Sequence, residues 1–250
     1  MNNNMLSKIN RKIRKISTVL FVEKPILFSL RKQGGLVSTY NKLNTTWFKD
    51  MKIDTVLDIG ANTGQFAKTI LALLPNAKIY SFEPLPDCFE ELNNFAIKND
   101  SIKAFNVGIG AESGMMSFER NESSQSSSFL KMTDTHKIAF PFTEKSTTVE
   151  VKITRLDDIA QEINLSESLL IKIDVQGYED KVLLGGKATI DKAKVVIVET
   201  SFVQLYESQP LFDDIYRTFR EWEFSFLGMV EQIVDPKTGQ ILQGDAIFIK

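Results

Sequence analysis

Apolar residues along this chain come in short runs and in helix-spaced sets, and their alternation predicts the fold. Strand-length runs stand at Val56–Ile59 (apolar but for Asp58), Ile79–Phe82, Ile102–Val107, Leu169–Asp174 and Lys194–Glu199. Such runs suit strands buried on both faces of a parallel sheet. Between them the spacing turns helical, first with Phe66, Ile70, Leu73 and Leu74, stopped by Pro75-Asn76. Phe89, Leu92 and Phe95 follow, then Val182 to Leu184 before the Gly185-Gly186 doublet, then a helix over 210–222. Strand and helix in alternation predict an α/β, doubly wound sheet.

Other segments fill in the edges. Residues 34–52 read as a helix entering the first strand, with Leu36, Tyr40, Leu43 and Trp47 on its inner side as core and roof. Met115–Phe118 is a short extra strand, and Val149, Val151 and Ile153 alternate with charged residues as a half-exposed one. Residues 121–128 form a serine-rich loop, a connector or a lid over substrate. The last strands are expected at 224–228, 230–234 and 246–249, with a hairpin turn at Asp235–Gly239. The N-terminal residues 1–42 stand apart as a helical arm. Lys8, Arg11, Lys12, Arg14 and Lys15 interleave there with Leu6, Ile9, Ile13 and Ile16, giving a basic amphipathic helix. It either packs on the domain or a partner chain, which would make an oligomer, or lies on an anionic membrane surface. Residues 43–250 then form one domain.

Composition narrows the chemistry. The 250 residues are 43% hydrophobic and 25% charged, enough apolar material for a sizeable core. A formal net charge of −2 creates no field that would recruit nucleic acid. One cysteine, Cys88, permits no internal disulfide, and with one histidine, His136, no Cys/His zinc site can be assembled. Cys88 reads as a small core residue and His136 as a packed or surface one. The absence of a signal-peptide core and of a bilayer-length apolar run points to a cytoplasmic setting, with the arm as the one element suited to peripheral membrane contact.

The chemistry gathers at strand ends. After the first strand the chain runs Gly60-Ala61-Asn62-Thr63-Gly64, a loop that lets a ligand approach the backbone closely. The second strand ends on Glu83-Pro84, and an acid there can accept hydrogen bonds from both hydroxyls of a ribose. Loop and acid together indicate a nucleoside cofactor. A dinucleotide would favour Gly-x-Gly-x-x-Gly, and Asp58 ahead of the loop would repel a pyrophosphate while suiting a cationic amino-acid moiety. Asp58, Glu83, Asn106, Asp174 and Glu199 all fall at carboxyl ends of strands, where open α/β sheets bind ligands.

The Asp-x-Gly-x-x-x-Gly loop resembles motif I of class I S-adenosylmethionine (SAM)-dependent methyltransferases. Taken with Phe82-Glu83-Pro84, Ser126-Ser127-Ser128-Phe129-Leu130, Leu156-Asp157-Asp158-Ile159, Ile171-Lys172-Ile173-Asp174-Val175-Gln176-Gly177-Tyr178-Glu179 and Val198-Glu199, it resembles the FkbM family of that class. The resemblance covers 43–250 and omits the arm. It implies a Rossmann-like class I methyltransferase sheet, mostly parallel with an antiparallel C-terminal strand, SAM as cofactor, and O-methylation of a hydroxyl on a sugar, glycan or natural product.

On that resemblance Asp58 and Gly60 meet the aminocarboxypropyl end of SAM, with Ala61 and Pro84 in the same binding set. Asn62 and Gly64 shape the loop, Glu83 holds the ribose, and Asn106 and Val107 lie at the adenine edge. Asp174 is the expected general base, with Lys172 and Glu179 orienting it or the acceptor. Glu199, Ser127 and Ser128 are the expected acceptor contacts. No metal site is assigned, though Asp174 and Glu199 together could hold a hard divalent ion. Two other readings stay open: a nicotinamide-dependent oxidoreductase on a related sheet, and a non-catalytic interaction module.

Overall fold

The computed structural model describes residues 25–121, 124–140, 143 and 146–250. The basic amphipathic segment at 8–16 lies outside them. Residues 25–32 are helical (α1), followed by α2 (Val37–Leu43) and α3 (Thr46–Asp50), so the single helix expected over 34–52 is broken at Asn44-Thr45. The boundary expected after residue 42 falls inside α2, whose Tyr40 and Leu43 are buried. Then come β1 (Thr55–Ile59), α4 (Gln65–Leu73), β2 (Lys78–Phe82), α5 (Pro86–Ala96) and β3 (Ile102–Phe105). The chain continues with β4 (Gly108–Ile109), β5 (Gly114–Asn121), α6 (Asp134–Ala139), β6 (Ser146–Thr154) and α7 (Leu156–Ile159). It ends with β7 (Leu169–Ile173), α8 (Glu179–Ile190), β8 (Ala193–Ser201), α9 (Phe212–Glu221), β9 (Ser225–Val234) and β10 (Ile241–Ile249).

Seven strands form one sheet in the order β3-β2-β1-β7-β8-β10-β9. All neighbours from β3 to β8 pair in parallel, and only β10 runs against the rest. The order reverses direction between β1 and β7, which is where an open α/β sheet leaves a crevice for a ligand. Side chains alternate across a strand, so the buried runs divide between two cores. Leu57, Ile59, Ile171, Ile173, Val196 and Val198 enter one core. Val56, Ile79, Leu170, Val195, Ile197 and Ile247 enter the other, with Phe66 and Ile70 of α4 and Leu43 of α2. On this second face the next residues towards the strand ends are polar: Ser81, Asp58, Lys172 and Asp174, Glu199, Asp245. Strand periodicity therefore lines the active end of one face with charge while the rest of that face stays apolar.

Three further expectations, on strand three, on residues 224–234 and on Gly185-Gly186, are corrected. Strand three stops at Phe105, because the Asn106 side-chain amide turns to the carbonyls of Glu83 and Pro84, 3.0 Å from each. The chain then joins a second sheet, β4-β6-β5, in which Gly108-Ile109 pairs with Ile153-Thr154. The serine-rich segment holds a 3-10 turn over Ser124–Ser126 and a bridge between Glu119 and Ser128. Residues 225–234 make one irregular strand rather than two. Lastly, Gly185-Gly186 does not end the helix after β7 but lies inside α8. A Cβ on Gly185 would stand 1.9 Å from the Gly110 carbonyl oxygen, and one on Gly186 would stand 2.8 Å from Leu156. Close packing of α8 on the loop after β4 and on α7 requires both glycines. Cys88 and His136 are buried. Among the described residues no helix is long and apolar enough to cross a membrane.

Gly185→Ala is expected to destabilise the protein by about 1–3 kcal/mol or more, since backbone atoms must move to admit one methyl group. Leu184→Ala, at an exposed neighbouring position, should change stability by no more than about 0.5 kcal/mol. Urea midpoints for the two variants check this.

Candidate active site

A cavity of about 380 Å³ opens at the carboxyl ends of β1, β2, β7 and β8 and the amino end of the antiparallel β10. Its first half is built by the turn after β1. Gly60 has φ 78° and a Cβ there would lie 1.9 Å from the Asp174 carbonyl oxygen, so only glycine lets the two loops touch. Gly64, at φ 83°, starts α4 in the left-handed region and faces Leu92 rather than the cavity. Asn62 is also left-handed, at φ 49°, a conformation asparagine tolerates. Its side-chain oxygen accepts from Thr63 N–H at 2.9 Å, and its own N–H donates to Glu83 Oε2 at 2.8 Å. Glu83 Oε1 accepts from Leu85 N–H at 2.9 Å. The glutamate is thus fixed by two backbone donors and keeps further lone pairs. Asp58, Gly60, Ala61, Asn62, Glu83 and Pro84 all line the cavity.

Burial governs the acids here. It pushes the Asp58 carboxyl up to about 7 against the pull of Lys172, and that of Glu83 to about 7 against its two N–H donors. A cationic group or hydroxyl donors entering beside them would favour ionisation, so both are suited to a ligand that supplies such groups.

The second half is a charged cluster. Lys172, with a side chain only 5% exposed, donates to Asp174 Oδ2 at 3.2 Å and to Asp245 Oδ1 at 2.9 Å. Burial works against its charge, but Asp174, Asp245 and Glu199 outweigh that and raise its pKa. The Asp174 side chain is 34% exposed and faces the cavity. Glu199 takes Gln176 Nε2–H at 2.6 Å and Gln243 Nε2–H at 2.7 Å. Its pKa is raised well above the usual range by burial and then by Asp174. Asp174, Glu199 and Asp245 each offer an oxygen within 4.8 Å of the others, and the Lys172 ammonium stands against two of the three.

Some expected site residues stand elsewhere. Asn106 and Val107 do not line the cavity. Asn106 caps the turn after Glu83 and Val107 is buried in the core, so Gly108 and Ile109 form that wall. Ser127 lines the cavity. Ser128 does not, because its hydroxyl donates to the Gln176 carbonyl at 2.6 Å and accepts from Leu130 N–H. Glu179 also stays behind the wall, where its Oε1 accepts from Val175 N–H at 3.1 Å and Gly177 N–H at 3.2 Å. It fastens the loop that carries Asp174. Gln176, Tyr206, Gln243, Asp245 and Glu231 were not anticipated. Gln176 lies inside the quoted Lys-Ile-Asp-Val-Gln-Gly motif, and Asp245 is a lone acid before an apolar run; Tyr206 gave no signal. Glu231 is held by Ser38, Thr39 and Lys42, which seats α2 over the cavity beside Leu36.

The reversed strand order, the single antiparallel strand, the glycine loop after β1 and the acid that follows β2 are the features of a class I methyltransferase domain. The Methyltransferase FkbM domain matches residues 58–226, and the chain belongs to that family, whose cofactor is SAM. The match removes the oxidoreductase reading. The 2-O-methyltransferase NoeI of Sinorhizobium fredii is 31% identical over 160 residues, 62% of this chain and 66% of that protein. The hexuronic acid methyltransferase AglP of Haloferax volcanii is 29% identical over 147 residues, 58% and 55% of the two chains. The chain thus spans less than two thirds of either relative. Aeropyrum pernix fibrillarin, in a structure with natively bound SAM, aligns over 77% of this chain and 66% of its own at 11% identity and a TM-score of 0.44.

Burial raises the Glu179 carboxyl to about 7. A glutamate held above its unfolded value stabilises fully at low pH and loses that contribution as pH climbs towards its folded value. Glu179→Gln does not titrate. Its melting temperature relative to the parent is therefore expected to rise between about pH 5 and about pH 8. Calorimetric scans at both pH values check this, and a pH-independent difference would contradict it.

Proposed function

We propose that this protein transfers the methyl group of SAM to a hydroxyl oxygen of a sugar, glycan or natural-product acceptor. The observation that carries the reading is the contact of the Gly60 turn with the Asp174 loop. It sets a half-exposed carboxylate at the border of the cofactor half of the cavity. Two relatives support it: NoeI is a 2-O-methyltransferase, and AglP is a hexuronic acid methyltransferase.

When bound, SAM supplies a methyl group on a sulfonium, already activated for transfer. Glu83 would accept from the ribose hydroxyls, and Asp58 would face the amino group, where an ammonium keeps its carboxylate ionised. The open backbone at Gly60 and Ala61 admits the rest of that end. What remains for the protein is to bring an acceptor oxygen into line and to take its proton. Asp174 would take the proton that the acceptor hydroxyl gives up. Lys172 donates to Asp174 Oδ2 at 3.2 Å and so fixes one of its oxygens. Ser127, Glu199 and Gln243 offer hydrogen-bond partners to further hydroxyls of the acceptor.

Asp174→Asn should lower turnover by about 10²- to 10⁴-fold, the range for losing a general base, with SAM affinity nearly unchanged. The assay is labelled methyl transfer from SAM onto a panel of hexosides. Full turnover would remove Asp174 as the base. Glu83→Ala should raise the SAM dissociation constant about 10- to 100-fold in calorimetric titration. Unchanged affinity would rule out the ribose contact.

A further inference from the structure

Gln176 is the residue through which the acids at the acceptor end touch one another. Its backbone sits at φ 55°, a left-handed conformation unfavourable for an ordinary side chain, and Gly177 follows at φ 95°. The strain is held by contacts on every side. The Gln176 carbonyl accepts from Ser128 Oγ at 2.6 Å. Its Nε2 donates to Asp174 Oδ1 at 2.8 Å and to Glu199 Oε2 at 2.6 Å. Its Oε1 accepts from the Tyr206 hydroxyl at 2.9 Å.

A side-chain amide has a donor end and an acceptor end, and the two carboxylates can use only the donor end. Turned over, the amide would set its oxygen against two acids and its NH2 against a hydroxyl. Tyr206 sets the direction by donating to Oε1. The tyrosine is itself rigid. It is 1% exposed, its backbone N–H and that of Leu205 are both taken by Gln209 Oε1, and its ring packs against His136 at 5.1 Å. The hydroxyl also lies 3.5 Å from His136 Nε2 and 3.3 Å from the Ser126 carbonyl, so Gln176 is its nearest acceptor. A Cβ on Gly177 would meet the Tyr206 side chain at 3.2 Å, which keeps ring and loop in register.

We propose that Tyr206 is a positioning residue for methyl transfer: its hydroxyl orients the Gln176 amide, and the oriented amide holds Asp174 and Glu199 together with the free lone pairs of Asp174 directed to the cavity. This rests on Asp174 as the base. Tyr206 touches neither cofactor nor acceptor in this arrangement and acts only through Gln176.

The test is a double-mutant cycle in the full chain, assayed by labelled methyl transfer from SAM onto the hexoside panel. Tyr206→Phe keeps the ring and removes the hydroxyl. It should lower kcat about 10-fold, the equivalent of one buried hydrogen bond, while the SAM dissociation constant stays within about 2-fold. Gln176→Ala should lower kcat at least as far, and adding Tyr206→Phe to it should cost nothing more. The Gln176 side-chain amide protons, followed by NMR in ¹⁵N-labelled protein, should exchange with solvent faster in Tyr206→Phe than in the parent. Additive losses in the cycle, unchanged kcat in Tyr206→Phe, or amide protons indifferent to the substitution would each overturn the proposal. Asp174→Asn in the same assay separates the two layers. If Asp174→Asn retains full turnover, the base assignment fails. If it is inactive while Tyr206→Phe is fully active, only the positioning role fails.

Discussion

A lysine ammonium sealed from water is the constraint around which this site is built. Lys172 lies in the middle strand of a sheet with apolar neighbours before and after it, Ile171 and Ile173. Removing such a charge from water costs several kcal/mol unless partners restore what hydration supplied. Asp174 and Asp245 do so, one just past the end of the same strand and one from the antiparallel strand β10. The lysine in turn offsets the repulsion among three carboxylates that share one end of a cavity. Neither half of this arrangement is tolerable without the other, and the sheet order that places β10 beside β8 makes both available.

The glycine turn and the charged cluster are one construction. Asp174 N–H donates to the Ile59 carbonyl at 3.0 Å, and Gly60 brings the next turn against the Asp174 carbonyl. The position of the proposed base is therefore tied to the backbone proposed to receive the cofactor. Behind the wall, Glu179 secures the loop through two backbone N–H groups, and Ser128 secures it through the Gln176 carbonyl. These residues act on geometry from outside the cavity.

Much of this was legible in the sequence, and the limits have physical causes. The strands from β1 to β8 and their helices follow local periodicity, so runs such as Leu169–Ile173 announce themselves. The loop glycines and strand-end acids are local too. Contacts between distant segments were not legible. Gly185-Gly186 looks like a helix stop in isolation; what it answers to is Gly110 and Leu156, which sequence spacing does not reveal. β4 is two residues long and has meaning only through β6. Asn106 sits at a strand end, yet its amide is spent on the turn after Glu83. Asp245 and Tyr206 enter the site only because β10 folds back and because the loop after β8 returns under the cavity.

The clasp between Glu231 and α2 joins residues 189 to 193 positions apart in the chain, and Lys172 reaches Asp245 across 73. Loop closure over such separations comes late and is slow, because entropy is lost before contacts return it. No early fragment holds a finished pocket: the glycine turn can form with β1 and β2, while Asp245, which completes the charged cluster, waits for β10 to thread between β8 and β9. Ligand capture thus reports that β10 has found its place between β8 and β9: a chain in which that strand is unpaired would present the turn and the proposed base with the lysine lacking one of its two acid partners.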